Sequence, residues 1–210
     1  MAPETAGKFN VLEGIEGCGK GTQTKLLSDF LIQKGLTVVA KKYPEYGQPI
    51  GDLINNWLHK KYELNAETQA LLYFADFIKD KDFLKNGLEN GTMWVVDRYF
   101  TSTMVYQHIN GIPLENLLKL SELFNLPKPD LCIYIKISPE TSYARKLEQK
   151  GLTSMDRHEE DKKFLSALYD NFEKMSKKKI FCDWETIDGE KPIGQVFAQI
   201  TDLLNKKFKI

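Results

Sequence analysis

Scarcities in this sequence exclude several classes of protein. Cysteine occurs only at Cys18, Cys132 and Cys182, an odd number without metal-ligand spacing, which predicts free thiols in a reducing, cytoplasmic compartment. Neither a signal peptide nor an apolar run of bilayer-spanning length is present, so no membrane partner is expected. An excess of one charge is also absent, since 29 basic side chains balance 29 acidic ones. Binding to nucleic acid is therefore not expected, and any anion site must be built locally.

Short apolar segments alternate with helical patterns along the 210 residues, a length that suits one domain with a core of its own. The predicted strands are residues 10–13, 37–41, 93–97, 131–137, and 179–181 or beyond. This alternation predicts an α/β fold of three layers, in which helices cover both faces of a parallel sheet. No linker or repeat divides the chain, so residues 1–210 are expected to form a single domain. Residues 1–7 form a polar leader without an assigned role.

Helical patterns cover residues 20–34, 49–59, 66–90, 110–124 and 196–208, and another helix is predicted to begin at Ser138. In the longest pattern a bend is expected near Gly87. Its stripe of predicted core residues is Leu71, Phe74, Ala75 and Ile78. The pattern at residues 110–124 has an apolar face that serves either the core or a subunit contact.

A glycine-rich turn between the first strand and the first helix is the most informative stretch. Its spacing, G-x-x-x-x-G-K over residues 14–20, favours a loop whose backbone N–H groups and helix N-terminus bind phosphates while Lys20 reaches the outer ones. The Mg²⁺-binding hydroxyl expected at Gly21 arrives one residue later, at Thr22. An ordinary glycine-rich turn is the plain alternative. The predicted ATP-binding residues of this loop are Gly14, Gly17, Cys18, Gly19, Lys20, Gly21 and Thr22.

Two charged residues end the third predicted strand. Asp97 and Arg98 come at the end of an apolar segment, a costly place for charges unless they pair or meet a ligand. A simple salt bridge between them is one interpretation. The favoured one has Arg98 binding a phosphate with its planar guanidinium and Asp97 holding Mg²⁺ through water. On the following helix, Ser102 and Tyr106 are four residues apart and can face one cleft, next to Gln107.

A second binding region is predicted after the second strand, because ligands of parallel sheets bind beyond the carboxyl ends of the strands. Residues 43–51 contain two prolines and two glycines, which favours a binding loop, although an ordinary connection has the same composition. Tyr73 lies off the predicted core stripe of its helix and can offer its ring to a planar base.

A basic segment after the fourth strand is predicted to form a short lid over about residues 146–158. It includes a break at residues 151–154. Each cation alone is typical of a solvated surface, but together they favour contact with a nucleotide, above all for Arg145 and Arg157 and less for Lys146. His158 is interpreted as a spacer, because one isolated histidine has no acid or nucleophile to serve.

Over essentially its whole length the chain resembles the thymidylate kinase family. The most specific marks are D-R-Y at residues 97–99, followed by Ser102, Tyr106 and Gln107, and L-P-K-P-D at residues 126–130. The resemblance implies a P-loop kinase fold with strand order 2-3-1-4-5 and a homodimer. It also implies transfer of the γ-phosphoryl group of ATP to dTMP with Mg²⁺.

The resemblance implies roles on the acceptor side. Glu16 would bind the sugar 3′-hydroxyl, Tyr73 would stack on thymine, Tyr106 would crowd the 2′ position and Arg98 would hold the acceptor phosphate. The acceptor-binding set is Glu16, Tyr43, Pro44, Tyr73, Phe77, Arg98, Ser102, Thr103, Tyr106 and Gln107.

On the donor side, the resemblance implies that a glycine at position 17 leaves one cation to be supplied by the lid. Arg157 is the best candidate for that cation, and Arg145 would lie nearer the adenine. The predicted catalytic residues are Lys20, Asp97, Arg98 and Arg157. No general base is required, because the attacking acceptor oxygen is already anionic.

Phe77 departs from the family pattern. Members usually have arginine there, and its loss removes a charge-assisted contact worth roughly 1.5 to 3 kcal/mol. Tyr46 also stands where some members have arginine, while others have tyrosine. These departures leave open a nucleoside monophosphate kinase with a different or broader acceptor. A nucleotide-binding module without catalysis is the alternative from another class.

Overall fold

The computed structural model describes residues 6–151, 156–159 and 161–210. Its sheet is parallel throughout, in the order β2-β3-β1-β4-β5. The strands are β1 (Lys8–Glu13), β2 (Val38–Lys42), β3 (Met93–Asp97), β4 (Leu131–Lys136) and β5 (Trp184–Asp188). This confirms the predicted five-stranded parallel sheet and its order.

Helices connect the strands and form the two outer layers. They are α1 (Lys20–Gln33), α2 (Pro49–Leu58), α3 (Ala66–Ile78), α4 (Lys81–Glu89), α5 (Phe100–Ile109), α6 (Leu114–Leu123), α7 (Pro139–Lys150), α8 (Lys162–Lys177) and α9 (Ile193–Phe208). Several begin at side-chain caps: the Asn65 side chain accepts from the Thr68 N–H and the Ser138 hydroxyl from the Thr141 N–H. The capping role predicted for Ser138 is therefore confirmed.

The central strands are buried on both faces, which explains their nearly continuous apolar sequences. Helix α1 packs on β2 and β3 and against α9, while α5 packs between α3 and α8. Since β1, β3 and β4 are neighbours in a parallel sheet, the segments after their carboxyl ends meet at one edge. That edge carries the site described below.

The fifth strand lies further along the chain than predicted. Residues 179–181 are not a strand, because Lys179 and Phe181 have positive φ values of 47° and 75°, which interrupt an extended chain. The strand begins at Trp184, which is paired with Cys132 of β4. The apolar pair Ile180 and Phe181 therefore led the sequence prediction to place the strand too early.

The long helix predicted at residues 66–90 is two helices. The break falls at Lys79 and Asp80, not near Gly87, which lies inside α4. A Cβ at Gly87 would come within 2.6 Å of Trp94 Nε1, so this glycine permits close packing of α4 on β3. Leu71, predicted to be core, is 56 % exposed.

Two predicted segments are only partly covered by the structure. Residues 152–155 of the predicted lid, which contain most of its break, and residues 1–5 of the leader lie outside the described residues. Within the part of the chain that is described, every helix is too short or too polar to cross a membrane.

Candidate active site

The glycine-rich loop between β1 and α1 closes around Lys20. Its ammonium donates to the carbonyl oxygens of Gly14 (2.9 Å) and Ile15 (3.1 Å) and lies 3.5 Å from the Cys18 sulfur. At Gly14, φ is 147° and an added Cβ would come within 2.6 Å of the Ile135 carbonyl oxygen. A side chain there is incompatible with the loop, so the backbone itself forms this part of the site.

Asp97, at the end of β3, lies beside the start of α1. A Cβ added at Gly21 would be 3.5 Å from Asp97 Oδ2, so the missing side chain leaves room next to the carboxylate. Asp97 is buried, and its Oδ1 finds no hydrogen-bond partner among the described residues. Thr22, the late hydroxyl, is exposed on the same turn. A buried, unpartnered carboxylate oxygen beside this glycine-rich loop suits a hydrated Mg²⁺ ion.

Arg98 connects the glycine loop to α5. Its Nη2 is 2.5 Å from Glu16 Oε1, and its Nη1 lies 3.1 Å from the Ser102 hydroxyl and 3.5 Å from the Gly14 carbonyl oxygen. The ion pair is with Glu16, not with the neighbouring Asp97, so the simple salt bridge considered for Asp97 and Arg98 is wrong. Burial alone would raise the pKa of Glu16, but the charges of Arg98 and Lys20 outweigh it and hold that pKa well below its usual range.

Glu13 is an organising residue that the sequence analysis missed. Its fully buried carboxylate accepts from the Tyr99 N–H (3.1 Å), the Thr101 hydroxyl (2.6 Å) and the Ser102 hydroxyl (2.6 Å). These bonds fix the turn in which Arg98 adopts a left-handed φ of 68°, a conformation that costs of order 1 kcal/mol without such support. The available signal was an acidic residue at the end of an apolar strand, the same signal that identified Asp97.

A cavity of about 230 Å³ opens beside Arg98. Nine of the ten predicted acceptor-binding residues line it: Glu16, Tyr43, Pro44, Tyr73, Arg98, Ser102, Thr103, Tyr106 and Gln107. The Tyr106 hydroxyl donates to Glu16 Oε1 at 3.1 Å, and the guanidinium of Arg98 lies 5.6 Å from the Tyr106 ring centre. The β1, β2 and β3 ends and helices α3 and α5 thus converge on one hollow.

Phe77 is the predicted acceptor-binding residue that does not line this cavity. It is 3 % exposed and packs against the rings of Tyr43 (5.0 Å between centres) and Tyr99 (5.2 Å). Burying the ring among other aromatic side chains removes it from contact with any ligand. The prediction of direct contact is therefore wrong, and Phe77 supports the cavity wall from behind.

Residues outside the predicted acceptor-binding set complete the cavity wall: Lys42, Tyr46, Leu58, Lys146, Asp156, His158 and Glu159. Of these, Tyr46 lies in the predicted binding loop, and Lys146, Asp156 and His158 lie in the predicted lid. Lys146 reaches it from α7 and pairs with Glu159 at 3.0 Å. Leu58 and Glu159 belong to no motif of the sequence, so only packing between distant segments brings them to this wall.

His158 is part of the wall rather than a spacer, which corrects that interpretation. Its ring stacks on Phe164 at 4.7 Å and meets Tyr106 and Trp57 edge-on at 5.3 and 5.4 Å. Burial among these rings disfavours the charged imidazolium and lowers the pKa of His158 to about 4. The side chain is therefore a neutral aromatic surface at neutral pH.

Arg145 holds the glycine loop against the end of β5. Its two terminal nitrogens donate to the carbonyl oxygens of Gly17 and Gly189, each at 3.2 Å. A Cβ at Gly17 would be 3.2 Å from the Ser142 carbonyl oxygen, so α7 packs too closely for a basic side chain there. The Ser142 hydroxyl donates to the Glu16 carbonyl oxygen at 2.6 Å and fixes this contact.

Arg157 is not brought to the glycine loop, contrary to prediction. Its guanidinium pairs with Glu63 at 2.8 and 3.2 Å and lies 4.5 Å from the centre of the Trp57 ring. A bidentate carboxylate and an aromatic face together satisfy a guanidinium well. The described cations that line the cavity are Lys42, Arg98 and Lys146.

Comparisons with known proteins agree with this geometry. The sequence model named Thymidylate kinase matches residues 12–200. Over 96 % of this chain and 99 % of its own length, the thymidylate kinase of Caldicellulosiruptor saccharolyticus is 36 % identical. The thymidylate kinase of Synechococcus sp. is 33 % identical over 97 % of this chain and 98 % of its own.

The fold is also similar to a solved structure, that of thymidylate kinase from Candida albicans. The TM-score is 0.74 at 24 % identity, covering 96 % of this chain and 92 % of the other. The family match covers most of the chain, and the relatives match it nearly end to end. The chain therefore belongs to the thymidylate kinase family.

Proposed function

We propose that this protein transfers the γ-phosphoryl group of ATP to dTMP, giving ADP and dTDP. The observation that carries the proposal is the position of Arg98, which touches the Gly14 carbonyl oxygen of the glycine loop and also lines the adjoining cavity. A triphosphate loop and a second binding site share this one cation. Phosphoryl transfer between two nucleotides requires such an arrangement, because the donor and acceptor phosphates must meet in line.

The donor side is the glycine loop. Its backbone N–H groups and the N-terminus of α1 would bind the β- and γ-phosphates, and Lys20 would turn from its loop carbonyls to the phosphate oxygens. Arg145, between the loop and Gly189, lies where the adenine end of ATP would leave the loop. A planar guanidinium can stack on an adenine ring.

Mg²⁺ fits the residues beside this loop. Asp97 would hold it through water with its unpartnered Oδ1, and the Thr22 hydroxyl is a weaker second ligand. When bound, the ion would neutralise part of the phosphate charge. The space left by Gly21 beside the carboxylate is consistent with an ion that keeps most of its water.

The acceptor side is the cavity. Tyr73 would stack on the base, and the Thr103 hydroxyl, buried and without a partner among the described residues, can bond a polar edge of that base. The described hydrogen bonds of Glu16 end on Oε1, so its Oε2 can accept from a sugar 3′-hydroxyl. Tyr106, bonded to the same carboxylate, would crowd the 2′ position and favour deoxyribose.

Charge neutralisation is the main task of the protein in this reaction. The transition state is loose and anionic, and two phosphate chains repel each other. Lys20, Arg98 and Lys146 surround the place where they would meet. Because the acceptor oxygen is already anionic, no proton needs to be removed from it, and the residues act by position and charge.

A coupled ATP assay with dTMP, dUMP, dGMP and AMP as acceptors tests the proposal. We expect the highest kcat/KM with dTMP. A higher value with another monophosphate would favour a kinase of different or broader acceptor range, an alternative motivated by the absence of arginine at Phe77. ATP binding without turnover on any acceptor would favour a nucleotide-binding module without catalysis.

The assembly that fits this chain is a homodimer in the cytoplasm, with residues 1–210 as one domain. Large exposed apolar side chains occur at Leu53 on α2, Leu71 on α3, and Leu123 with Phe124 at the end of α6. Burying apolar side chains of this kind against a second copy would stabilise a dimer. Leu123→Glu should shift sedimentation towards monomer, while Phe83→Glu, at an exposed position of α4, should not.

A further inference from the structure

Five charged side chains lie behind the cavity wall without lining it. We call Lys41, Glu45, Asp76, Lys79 and Asp80 the charged cluster. They come from β2, from the loop of residues 43–48, from the last turn of α3 and from the junction between α3 and α4. Residues 42–44 and 46 do line the cavity, so the loop turns Glu45 inward to the cluster and its neighbours outward to the cavity.

Asp76 is the centre of the cluster. It is 0 % exposed, its Oδ2 accepts from the Glu45 N–H at 2.8 Å, and its Oδ1 accepts from Lys79 at 2.8 Å. A buried carboxylate costs several kcal/mol unless it is paired and hydrogen-bonded, and both conditions are met here. On the same helix, three residues earlier, Tyr73 lines the cavity.

The other members connect the same two walls. Glu45 pairs with Lys41 (2.9 Å) and Lys79 (3.0 Å), and the Tyr43 hydroxyl donates to Asp80 at 2.8 Å. The hydrogen bond from Lys41 is the main reason that the pKa of Glu45 is lowered. Loop and helix are thus joined by bonds that a merely surface-exposed loop lacks.

We propose that Asp76 is a positioning residue for the acceptor: by binding the Glu45 N–H it sets the distance between the loop that carries Tyr43 and Pro44 and the helix that carries Tyr73. The inference rests on the proposed function, which makes this cavity the acceptor site. Loss of Asp76 should therefore weaken acceptor binding selectively. The glycine loop has no contact with the charged cluster in the described bonds, so ATP binding should be spared.

Three variants test the inference. Asp76→Ala removes both the hydrogen-bond acceptor and the charge, and Asp76→Asn keeps the shape and one acceptor oxygen. Glu173→Gln is the matched control, because Glu173 also pairs with two lysines, Lys136 (3.1 Å) and Lys177 (3.0 Å), but does so away from the cavity. If Asp76→Ala fails to fold, the same measurements are made on the near-isosteric variant Asp76→Asn.

Steady-state kinetics with each substrate varied gives the first readout. We expect Asp76→Ala to raise the KM for dTMP about tenfold, the effect of losing one buried hydrogen bond, while kcat and the KM for ATP change less than about threefold. Asp76→Asn should lie between wild type and Asp76→Ala, and Glu173→Gln should match wild type. An unchanged KM for dTMP, or an equal rise in both KM values, would overturn the inference.

Amide hydrogen exchange gives a readout that needs no substrate. Peptides covering residues 42–51 should exchange at least about tenfold faster in Asp76→Ala, with residues 14–22 unchanged. If wild type fails to phosphorylate dTMP, the proposed function fails, and the exchange result alone decides whether Asp76 positions the loop. Unchanged exchange at residues 42–51 would refute that role whatever the assay shows.

Discussion

The donor and acceptor sides of the site are built in different ways. On the proposed donor side, backbone groups of the glycine loop would do most of the binding, and Gly14, Gly17 and Gly19, all with positive φ, shape the loop. On the acceptor side, the cavity wall includes side chains from β2 and the loop after it, from α2, α3, α5 and α7, and from Asp156, His158 and Glu159. One side depends on a contiguous segment, and the other depends on packing between distant segments.

Because of this difference, the two sides should respond differently to amino-acid substitutions. A backbone site accepts few substitutions, because a single Cβ at Gly14 collides with Ile135. A side-chain cavity changes by degrees, because each wall residue contributes separately to acceptor binding. Substitutions on the acceptor side should therefore alter the KM for dTMP while sparing that for ATP, and residues shared by the two sides should affect turnover.

The largest effect is expected at Arg98, which belongs to both sides. Arg98→Ala should lower kcat by roughly two to three decades, as does removal of a preformed charge-stabilising donor in other enzymes. Arg98→Lys keeps the charge but loses the planar fork, so it should recover only part of the rate. The coupled ATP assay measures both, and a wild-type rate in Arg98→Ala would show that Arg98 does not stabilise the transition state.

The next prediction compares substitutions of Lys146 and Arg157, two cations of the same region. Both are ion-paired, Lys146 with Glu159 and Arg157 with Glu63, but only Lys146 lines the cavity. Lys146→Met should therefore cost about one to two decades in kcat/KM for dTMP, the value of one charge-assisted contact. Arg157→Met should cost less than about threefold. The reverse order would mean that Arg157 leaves Glu63 during turnover and supplies the cation.

A smaller effect, confined to the acceptor side, is expected at Tyr73. Tyr73→Leu removes the ring that would stack on the base, a contact worth about 1 to 2 kcal/mol, so the KM for dTMP should rise about fivefold to thirtyfold. Tyr73→Phe keeps the ring and should remain within about twofold of wild type. A comparable rise in the KM for ATP would contradict the view that Tyr73 acts on the acceptor side alone.

The smallest effect concerns stability and pH. Burial lowers the pKa of His158 from 6.5 to about 4, so the unfolded chain takes up this proton first as the pH falls. Stability from the neutral ring is fully present above about pH 6.5 and is lost as the pH falls towards 4. Between pH 7 and pH 4.5 the wild type should lose unfolding free energy because its unfolded state binds this proton. His158→Phe has no such group, so its loss over the same range should be smaller by up to about 2 kcal/mol. Denaturant unfolding at both pH values measures this, and parallel losses would contradict it.

The sequence alone identified those site residues whose role depends on residues next to them in the chain. The spacing of glycines around Lys20, and the charges ending the apolar strand at Asp97 and Arg98, indicated the site because each depends on one strand and the turn after it. Glu13 has the same signal at the end of β1, and its role shows only in the bonds that it accepts from Tyr99, Thr101 and Ser102. Strand order followed the family resemblance, and the structure confirmed it.

Other features could not be read from neighbours in the chain. The place where α3 ends depends on Asp76 and Asp80, which bind Glu45, Lys41 and Tyr43 some thirty to forty residues away. His158 became a wall residue only because Trp57, Tyr106 and Phe164 surround it. No window of sequence contains these contacts.

By itself, the sequence determined that this chain has a glycine-rich loop between a strand and a helix, a parallel sheet and charges at the strand ends, because backbone geometry and short-range periodicity express these features locally. Only the tertiary structure decided which side chains line the cavity. It buried Phe77 behind the wall, directed Arg157 to Glu63 and brought Lys146 to the site. The physical reason is that the partner of a charged or aromatic side chain is chosen by packing between segments far apart in the chain.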